Sequence, residues 1–132
     1  QMTTDGAIGT LSIGAIGLYS YIYEGTTQAN MAKGVAHFPS TMGWNGNIGL
    51  AGHNRSASGH AFFGKLKDLQ IGDVVTYTTL YGTRNYVVSD ISYCATTDTS
   101  GLLQDGTNKL TMYTCKANDP SVKLRVTAVE TV

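Results

Sequence analysis

The sequence predicts an all-β protein that folds as a closed or nearly closed barrel. Only 14% of its residues are charged, while Thr, Val and Tyr, which favour β-strands, are plentiful. Short strand-like segments follow one another along the chain, separated by turns rich in Gly and Asn. Only one or two segments have the apolar spacing of a short helix. Six or more short strands with so few helices are typical of a barrel.

The length of the chain predicts a single domain. Its 132 residues lie near the usual size of one domain, and they can bury an apolar core without disulfides or metal. The sequence contains no internal repeat and no Pro-rich linker, since its two prolines are Pro39 and Pro120. We therefore expect residues 1–132 to share one core.

The first half contains three predicted strands and one short predicted helix. Residues 8–13 and 18–23 are strand candidates separated by a Gly-Ala-Ile-Gly turn. Residues 30–36 carry apolar side chains at helical spacing and predict a short helix that ends near Gly34. The strand Asn47–Ala51 leads directly into Gly52 and His53.

A second helix is predicted at residues 61–69, because Phe62, Leu66 and Leu69 fit one helical face. The remaining segments predict β-structure. They comprise strands at residues 74–80 and 84–93, a loop with a helical turn at 97–104, and a terminal hairpin of strands at 109–115 and 122–129.

The terminal hairpin is the most informative part of the sequence. If Leu110 and Met112 face the core, strand alternation places Cys115 on the outer face. On the partner strand Val122, Leu124 and Val126 take the inward positions, so that Lys123 and Arg125 point outward. In a register that pairs Tyr113 with Arg125, Cys115 is a diagonal neighbour of Arg125 at roughly 7–8 Å.

An outward cysteine beside a guanidinium is predicted to be a nucleophile, because a nearby cation favours the thiolate. Such a nucleophile still needs an acid to protonate its leaving group, and histidine is the usual supplier. His53 is the best placed of the three histidines, since it follows a short apolar strand and a glycine. His37 and His60 lie in polar, turn-rich segments and are expected at the surface.

Charge and hydropathy argue against several classes of protein. Nine basic residues balance nine acidic ones, whereas nucleic-acid binders and polybasic membrane-surface proteins carry a basic excess. No apolar run is long enough to cross a membrane. The chain begins at Gln1, so any upstream leader or anchor would not be visible in it.

The hairpin residues resemble a known family. Residues 111–115, Thr-Met-Tyr-Thr-Cys, resemble the sortase signature Thr-Leu-x-Thr-Cys with Met in place of Leu. Gly52-His53 matches the histidine of sortases, and Arg125 lies on the strand after the cysteine, where sortases carry their arginine. Further segments resemble the family in the same order over nearly the whole chain, namely residues 8–13, 23–25, 33–39, 46–53 and 69–75.

The resemblance implies an eight-stranded sortase β-barrel and a cysteine transpeptidase. Cys115 would attack the Thr carbonyl of a Leu-Pro-x-Thr-Gly or Leu-Pro-x-Thr-Ala sorting signal and form a thioacyl intermediate. His53 would act as general acid and then as general base, while Arg125 would steady the oxyanion. Tyr113, Thr114 and Asn54 are the expected substrate-binding residues, and no cofactor or metal is implied.

The resemblance also implies partners and a location. The substrates would be surface proteins with a C-terminal sorting signal, and the acceptor would be lipid II or another cell-wall amine. The catalytic domain would lie on the outer face of a Gram-positive membrane, attached only through an N-terminal anchor absent from this chain. Residues 93–109 lack the long helical insertion of class B, and no class C lid is visible, which together favour class D. Gly14-Ala15 departs from the Pro-Lys that many sortases carry.

Several structural alternatives stay open at this point. Cys94 and Cys115 could form a disulfide, although Cys94 alone reads as a small buried apolar residue. Arg125 and Lys123 could be solvated strand residues. Asp98 and Asp105 precede the cysteine strand and could hint at calcium, but two scattered acids are a weak signal.

Three alternative functions also remain. The chain could be a sortase that polymerises pilins through a lysine acceptor. It could be a cysteine hydrolase, in which water resolves the intermediate. It could also be a non-catalytic β-barrel binding module on the cell surface, in which case peptide would bind without turnover.

Overall fold

The computed structural model describes most of the chain. It covers residues 7–27, 29–30, 34–39, 41–42, 44–52, 63, 65–95, 98, 100–102, 104, 106–116 and 119–131. At positions 100, 115, 116 and 119–121 it describes the backbone but not the side chain. His53, Asn54, Phe62, His60 and Asp105 lie outside the described residues.

Eight strands close into one barrel, as predicted. They are β1 (Ala7–Ile13), β2 (Leu18–Glu24), β3 (Val35–His37), β4 (Asn47–Ala51), β5 (Val74–Thr79), β6 (Gly82–Ala95), β7 (Lys109–Lys116) and β8 (Asp119–Glu130). Their order around the barrel is β1-β2-β3-β4-β7-β8-β6-β5. The pairs β2–β3 and β4–β7 are parallel, and the other pairs are antiparallel.

The barrel interior is filled by inward-facing apolar side chains from all the long strands. Tyr77 and Tyr86 are the largest side chains that are fully buried, and their rings meet edge to face with centroids 6.4 Å apart. The other fully buried residues in this core include Leu11, Ile13, Ile22, Val35, Ile48, Leu50, Leu110, Met112 and Val126. This core fixes which face of each strand is available for chemistry.

The helix predicted at residues 30–36 is wrong over its last part. Ala29 and Asn30 are helical, but Val35 and Ala36 lie in β3. Val35 pairs with Ile22 on β2, and both side chains are fully buried. Pairing with a distant strand therefore overrides the local helical spacing.

The helix predicted at residues 61–69 is also wrong within the described residues. The chain forms a 3₁₀ turn at Leu66–Asp68, with hydrogen bonds between residues three apart, such as Leu66 N–H to the Phe63 carbonyl at 3.1 Å. Phe63, Leu66 and Leu69 are all buried, and this three-residue spacing is the period of a 3₁₀ helix. The burial predicted for Leu66 and Leu69 is confirmed, but a 3₁₀ turn rather than an α-helix produces it.

The strands of the second half agree with the prediction, except that β5 ends one residue earlier and β6, β7 and β8 extend beyond the predicted bounds. β6 extends the predicted segment in both directions, and β8 begins at Asp119 rather than at residue 122. The helical turn predicted in residues 97–104 is the 3₁₀ turn Ser100–Leu102. Within the described part of the chain, no helix has both the length and the apolar character that crossing a bilayer requires.

Candidate active site

The inner and outer faces of β7 and β8 follow the predicted alternation. Leu110 and Met112 on β7 are fully buried in the core, as are Leu124 and Val126 on β8 apart from 3% of Leu124. Tyr113 and Arg125 therefore belong to the outer face. The predicted orientation of the arginine is confirmed.

The register of the hairpin also agrees with the prediction. Tyr113 pairs directly with Arg125, and Cys115 pairs directly with Lys123. Position 115 is therefore diagonal to Arg125, a separation of roughly 7–8 Å between residues in such an arrangement. The backbone brings the predicted nucleophile and the predicted arginine into adjacent positions of one hairpin.

Thr114 lies on the opposite side of β7. It pairs with the buried Leu124, only 4% of its surface is exposed, and its hydroxyl has no hydrogen-bond partner among the described residues. Its side chain thus belongs to the inner face and does not share the face of Arg125. A substrate contact from Thr114 stays a prediction, and at this position it would come from the backbone.

Gly52 connects β4 to the predicted histidine. Its N–H donates to the carbonyl of Tyr113 at 3.1 Å, which ties it to β7 two residues before Cys115. A Cβ at position 52 would stand 3.0 Å from the ring of Phe63, so the absence of a side chain permits this close packing. His53 is the next residue in the sequence. His53 and Asn54 themselves lie outside the described residues, so their predicted roles are not tested.

The outer face beside Arg125 is covered on one side by the ring of Phe38 and by the turn that contains Gly101. Phe38 meets the Tyr113 ring edge to face, with centroids 5.8 Å apart. A Cβ at Gly101 would contact the Tyr113 hydroxyl and would lie 2.8 Å from Cδ of Arg125. Beneath these two groups Tyr113 is only 3% exposed, whereas 21% of the Arg125 side chain is exposed to solvent. The guanidinium therefore lies at the edge of a covered surface, open on its other side.

The electrostatics of this surface are set by Arg125. Asp98 Oδ2 lies 3.9 Å from Nη1 of Arg125, in the segment that connects β6 to β7. Burial raises the pKa of the Tyr113 phenol, and the neighbouring Arg125 charge offsets part of that increase. Tyr113 therefore stays a neutral phenol at neutral pH and adds no negative charge to the site.

The disulfide alternative is excluded by strand order. Cys94 on β6 and Cys115 on β7 both pair with Lys123, so β8 lies between them. Two strand spacings separate their backbones by roughly 9–10 Å, beyond the reach of a disulfide. Cys94 is a free cysteine of intermediate exposure on the outer face, rather than the buried residue that the sequence predicts.

His37 corrects a second prediction. It was expected at the surface, but it is only 3% exposed. Its Nδ1 lies 2.9 Å from Oε1 of Glu24, and its Nε2 lies 2.7 Å from the carbonyl of Met42. His37 thus links β2 to the segment that carries Phe38.

A buried amide at the start of β4 organises the covering turn, and no sequence pattern predicts it. Asn47 is fully buried, accepts a hydrogen bond from Oγ1 of Thr111 at 2.7 Å, and donates from Nδ2 to the Gly101 carbonyl at 2.7 Å. Its backbone N–H donates to Oε1 of Gln104 at 2.8 Å. This network attaches the β6–β7 segment to β4 and β7, and so holds Gly101 against Tyr113.

No cluster of three or more His, Cys, Asp or Glu side chains that could hold a metal ion occurs among the residues the structure describes. Asp98, which could hint at calcium together with Asp105, instead lies beside Arg125. Asp105 is outside the described residues.

Comparison with solved structures agrees with this architecture. Sortase C-1 from Actinomyces oris is 28% identical, with a TM-score of 0.91 over 100% of this chain and 77% of that one. Sortase A from Corynebacterium diphtheriae, a lid mutant, is 26% identical, with a TM-score of 0.89 over 96% of this chain and 70% of that one. The pilus-related sortase C of Group B Streptococcus, at 24% identity, matches in fold with a TM-score of 0.91 over 99% of this chain and 70% of that one.

Sequence comparison identifies the family. No curated protein sequence matches this chain. The family model described as the sortase domain matches residues 11–131, which include all but the first four residues of the barrel and the whole β7–β8 hairpin. The match spans far more than half of the chain, and the closed eight-stranded barrel is the fold of the solved sortases. The chain therefore belongs to the sortase family of transpeptidases.

Proposed function

We propose that this chain is a cysteine transpeptidase that cleaves a Leu-Pro-x-Thr-Gly-like sorting signal after Thr and transfers the Thr acyl group to a cell-wall amine. The observation that carries the proposal is the β7–β8 register, in which Cys115 is diagonal to Arg125 on one hairpin. Membership of the sortase family supports the same reaction class.

In the proposed first half-reaction, the Cys115 thiolate attacks the Thr carbonyl carbon and forms a tetrahedral oxyanion. Arg125 stabilises that oxyanion, because a fixed cation is most effective where negative charge develops. The C–N bond then breaks, and His53 donates a proton to the departing amine. The peptide remains attached to Cys115 as a thioester.

In the second half-reaction, an incoming amine attacks the thioester carbonyl. His53 removes the proton from the attacking nitrogen, the C–S bond breaks, and Cys115 is regenerated. Water in place of the amine would give hydrolysis. The Phe38 and Gly101 cover beside Arg125 supports transfer, because a covered surface limits the access of water to the intermediate.

The substrate-binding residues are proposed on the same basis. Tyr113 is buried beside Arg125, and its packing against Phe38 supports a role in positioning the substrate. Thr114 would contribute through its backbone, since its side chain belongs to the inner face. Asn54 is proposed only from its place next to His53.

The proposed location is the outer face of a Gram-positive cell membrane, where sorting signals and wall amines meet. The proposed partners are surface proteins with a C-terminal sorting signal, together with lipid II or a similar amine. Class D is the proposed subclass. The only secondary structure described between β6 and β7 is a three-residue 3₁₀ turn, which supports the absence of a class B type insertion.

Mass spectrometry with a Leu-Pro-x-Thr-Gly peptide tests the nucleophile. The wild-type protein is expected to give the cleaved peptide and a thioester adduct on Cys115. Cys115→Ala is expected to give neither, whereas Cys94→Ala, which changes the other thiol, should retain both. Full cleavage by Cys115→Ala would refute the assignment. Binding of peptide without turnover by the wild type would favour the binding-module alternative.

A pilin-polymerising sortase is the second candidate. It is favoured by the match to sortase C-1 from Actinomyces oris, at 28% identity over the whole chain. Competition between a pilin-derived lysine peptide and a wall-type amine, followed by mass identification of the conjugate, separates the two. Exclusive transfer to the lysine peptide would replace wall anchoring with pilin polymerisation.

A further inference from the structure

Lys123 is the cation that the barrel places directly across from the predicted nucleophile. It lies on the outer face of β8, between the inward-facing Leu124 and the edge of the hairpin, and pairs with Cys115 on one side and Cys94 on the other. Arg125 is one diagonal step further from Cys115. By register, therefore, the lysine is nearer to position 115 than the arginine is.

The Lys123 side chain is directed across β7 rather than toward β6. Its Nζ lies 5.9 Å from the centroid of the Tyr113 ring, within the range of a cation–π contact. Tyr113 precedes Cys115 by two residues, so the two positions share one face of β7. The ring thus holds the ammonium over the strand that carries the nucleophile, and the side chain is half-buried there.

None of the described side chains on this face cancels the lysine charge. Cys94 faces it from β6, Tyr113 and position 115 face it from β7, and Arg125 is its neighbour on β8. Among the described side chains, Asp98 is the carboxylate that approaches this face, and it lies 3.9 Å from Arg125. Burial raises the pKa of Tyr113, which therefore contributes no negative charge near neutral pH. The described surroundings of position 115 are thus dominated by two cations.

We propose that Lys123 is a positioning residue for the nucleophile, whose ammonium stabilises the Cys115 thiolate and widens the pH range in which the thiol reacts. The inference rests on the proposed function, in which Cys115 is the nucleophile. A neighbouring cation favours the charged form of a thiol, and the effect is modest where solvent screens it.

The pH dependence of Cys115 alkylation tests this role without any peptide substrate. All variants carry Cys94→Ser, so that iodoacetamide reports on one thiol. In Lys123→Met the midpoint of the rate-against-pH curve should rise by about 0.5–1 pH unit, whereas Lys123→Arg should preserve it. Lys109→Met is the matched control. Lys109 lies on β7 six residues before Cys115, roughly 20 Å away at about 3.4 Å per residue, and its loss should leave the midpoint unchanged.

Salt separates a charge effect from a structural one. The difference between the Lys123→Met midpoint and the parent midpoint should shrink at 1 M salt, where the Debye length is about 3 Å. The proposal would be overturned if the Lys123→Met and parent midpoints agreed within about 0.2 pH unit at low salt. It would also be overturned if Lys123→Arg did not restore the parent midpoint, or if salt did not reduce the difference between Lys123→Met and the parent. If wild type cleaves no sorting peptide while the Lys123 shift is present, the proposed sorting reaction fails and the thiolate role of Lys123 stands.

Discussion

Gly101 shows how one missing side chain shapes the surface beside Arg125. A Cβ at this position would contact the Tyr113 hydroxyl and approach Cδ of Arg125 to 2.8 Å, so either the turn or the guanidinium must move. For Gly101→Ala we expect kcat/KM for the sorting peptide to fall about ten- to a hundredfold, because displacements near 1 Å at a reacting centre have effects of this size. Steady-state kinetics measure the loss.

Gly14→Ala is the control for that substitution. A Cβ at Gly14 would meet no atom within 4 Å, and Gly14 lies in the 3₁₀ turn between β1 and β2. Its kinetics should match those of the wild type. Unchanged kinetics in Gly101→Ala, with the fold intact by thermal unfolding, would show that the turn yields and that Arg125 stays in place.

Asn47 joins three elements through one buried amide. It bonds Thr111 on β7 and the Gly101 carbonyl in the segment before β7, while its own backbone belongs to β4. Asn47→Ala removes the amide that bonds Thr111 and the Gly101 carbonyl, and it leaves the Thr111 hydroxyl buried without this acceptor. We expect the free energy of unfolding to fall by about 2 kcal/mol, measured by urea denaturation.

Thr111→Val is the matched change within that network. It removes only the hydroxyl that donates to Asn47 and nearly preserves the volume, so it should cost less than Asn47→Ala. Hydrogen exchange at Gly101 should speed up in Asn47→Ala more than in Thr111→Val. Equal costs in the two variants would mean that the amide does not hold the β6–β7 segment.

At the scale of elements, the β7–β8 hairpin could be predicted because inward-facing and outward-facing side chains alternate without interruption along both strands near the site. Leu110, Met112, Leu124 and Val126 are all inward, and from that pattern alone the outward face of Arg125 follows. β6 could not be predicted in the same way. Its register shifts between Val88 and Asp90, and a one-residue shift moves every later side chain to the other face. Cys94 is therefore outward, whereas sequence composition indicated a buried residue.

Distant partners explain the other failures of sequence reasoning. His37 is buried with its two ring nitrogens against Glu24, thirteen residues earlier, and the Met42 carbonyl. No local sequence pattern encodes those two partners. Asn47 bonds Gly101 and Thr111, which both lie more than fifty residues away in the sequence. This network therefore could not be predicted from neighbouring positions either.

At the scale of the whole molecule, barrel closure lets one hairpin carry the chemistry on a surface supported from behind. β7 is hydrogen-bonded to β4 and β8, and β8 to β6 and β7, so neither strand is an edge. Behind them the core holds Tyr77 and Tyr86, both fully buried. Phenols in such a place remain neutral, because burial penalises their charged form.

These buried phenols make the barrel sensitive to alkali. Burial raises the pKa of Tyr86, which the nearby Arg84 offsets only in part, and burial raises the pKa of Tyr77 and Tyr113 as well. A raised folded pKa means that the stabilisation is complete below the unfolded value, about 10, and is lost as pH rises above it. The free energy of unfolding should therefore fall above about pH 10, by up to about 1.4 kcal/mol per pH unit for each such tyrosine.

Because the Tyr86 hydroxyl has no hydrogen-bond partner among the described residues, Tyr86→Phe should cost little stability at neutral pH and should reduce the loss of stability between pH 8 and 11. Urea denaturation at both pH values measures this, with the exposed Tyr81 as Tyr81→Phe for comparison. An alkaline loss as large in Tyr86→Phe as in the wild type would mean that the buried phenol of Tyr86 does not link barrel stability to pH.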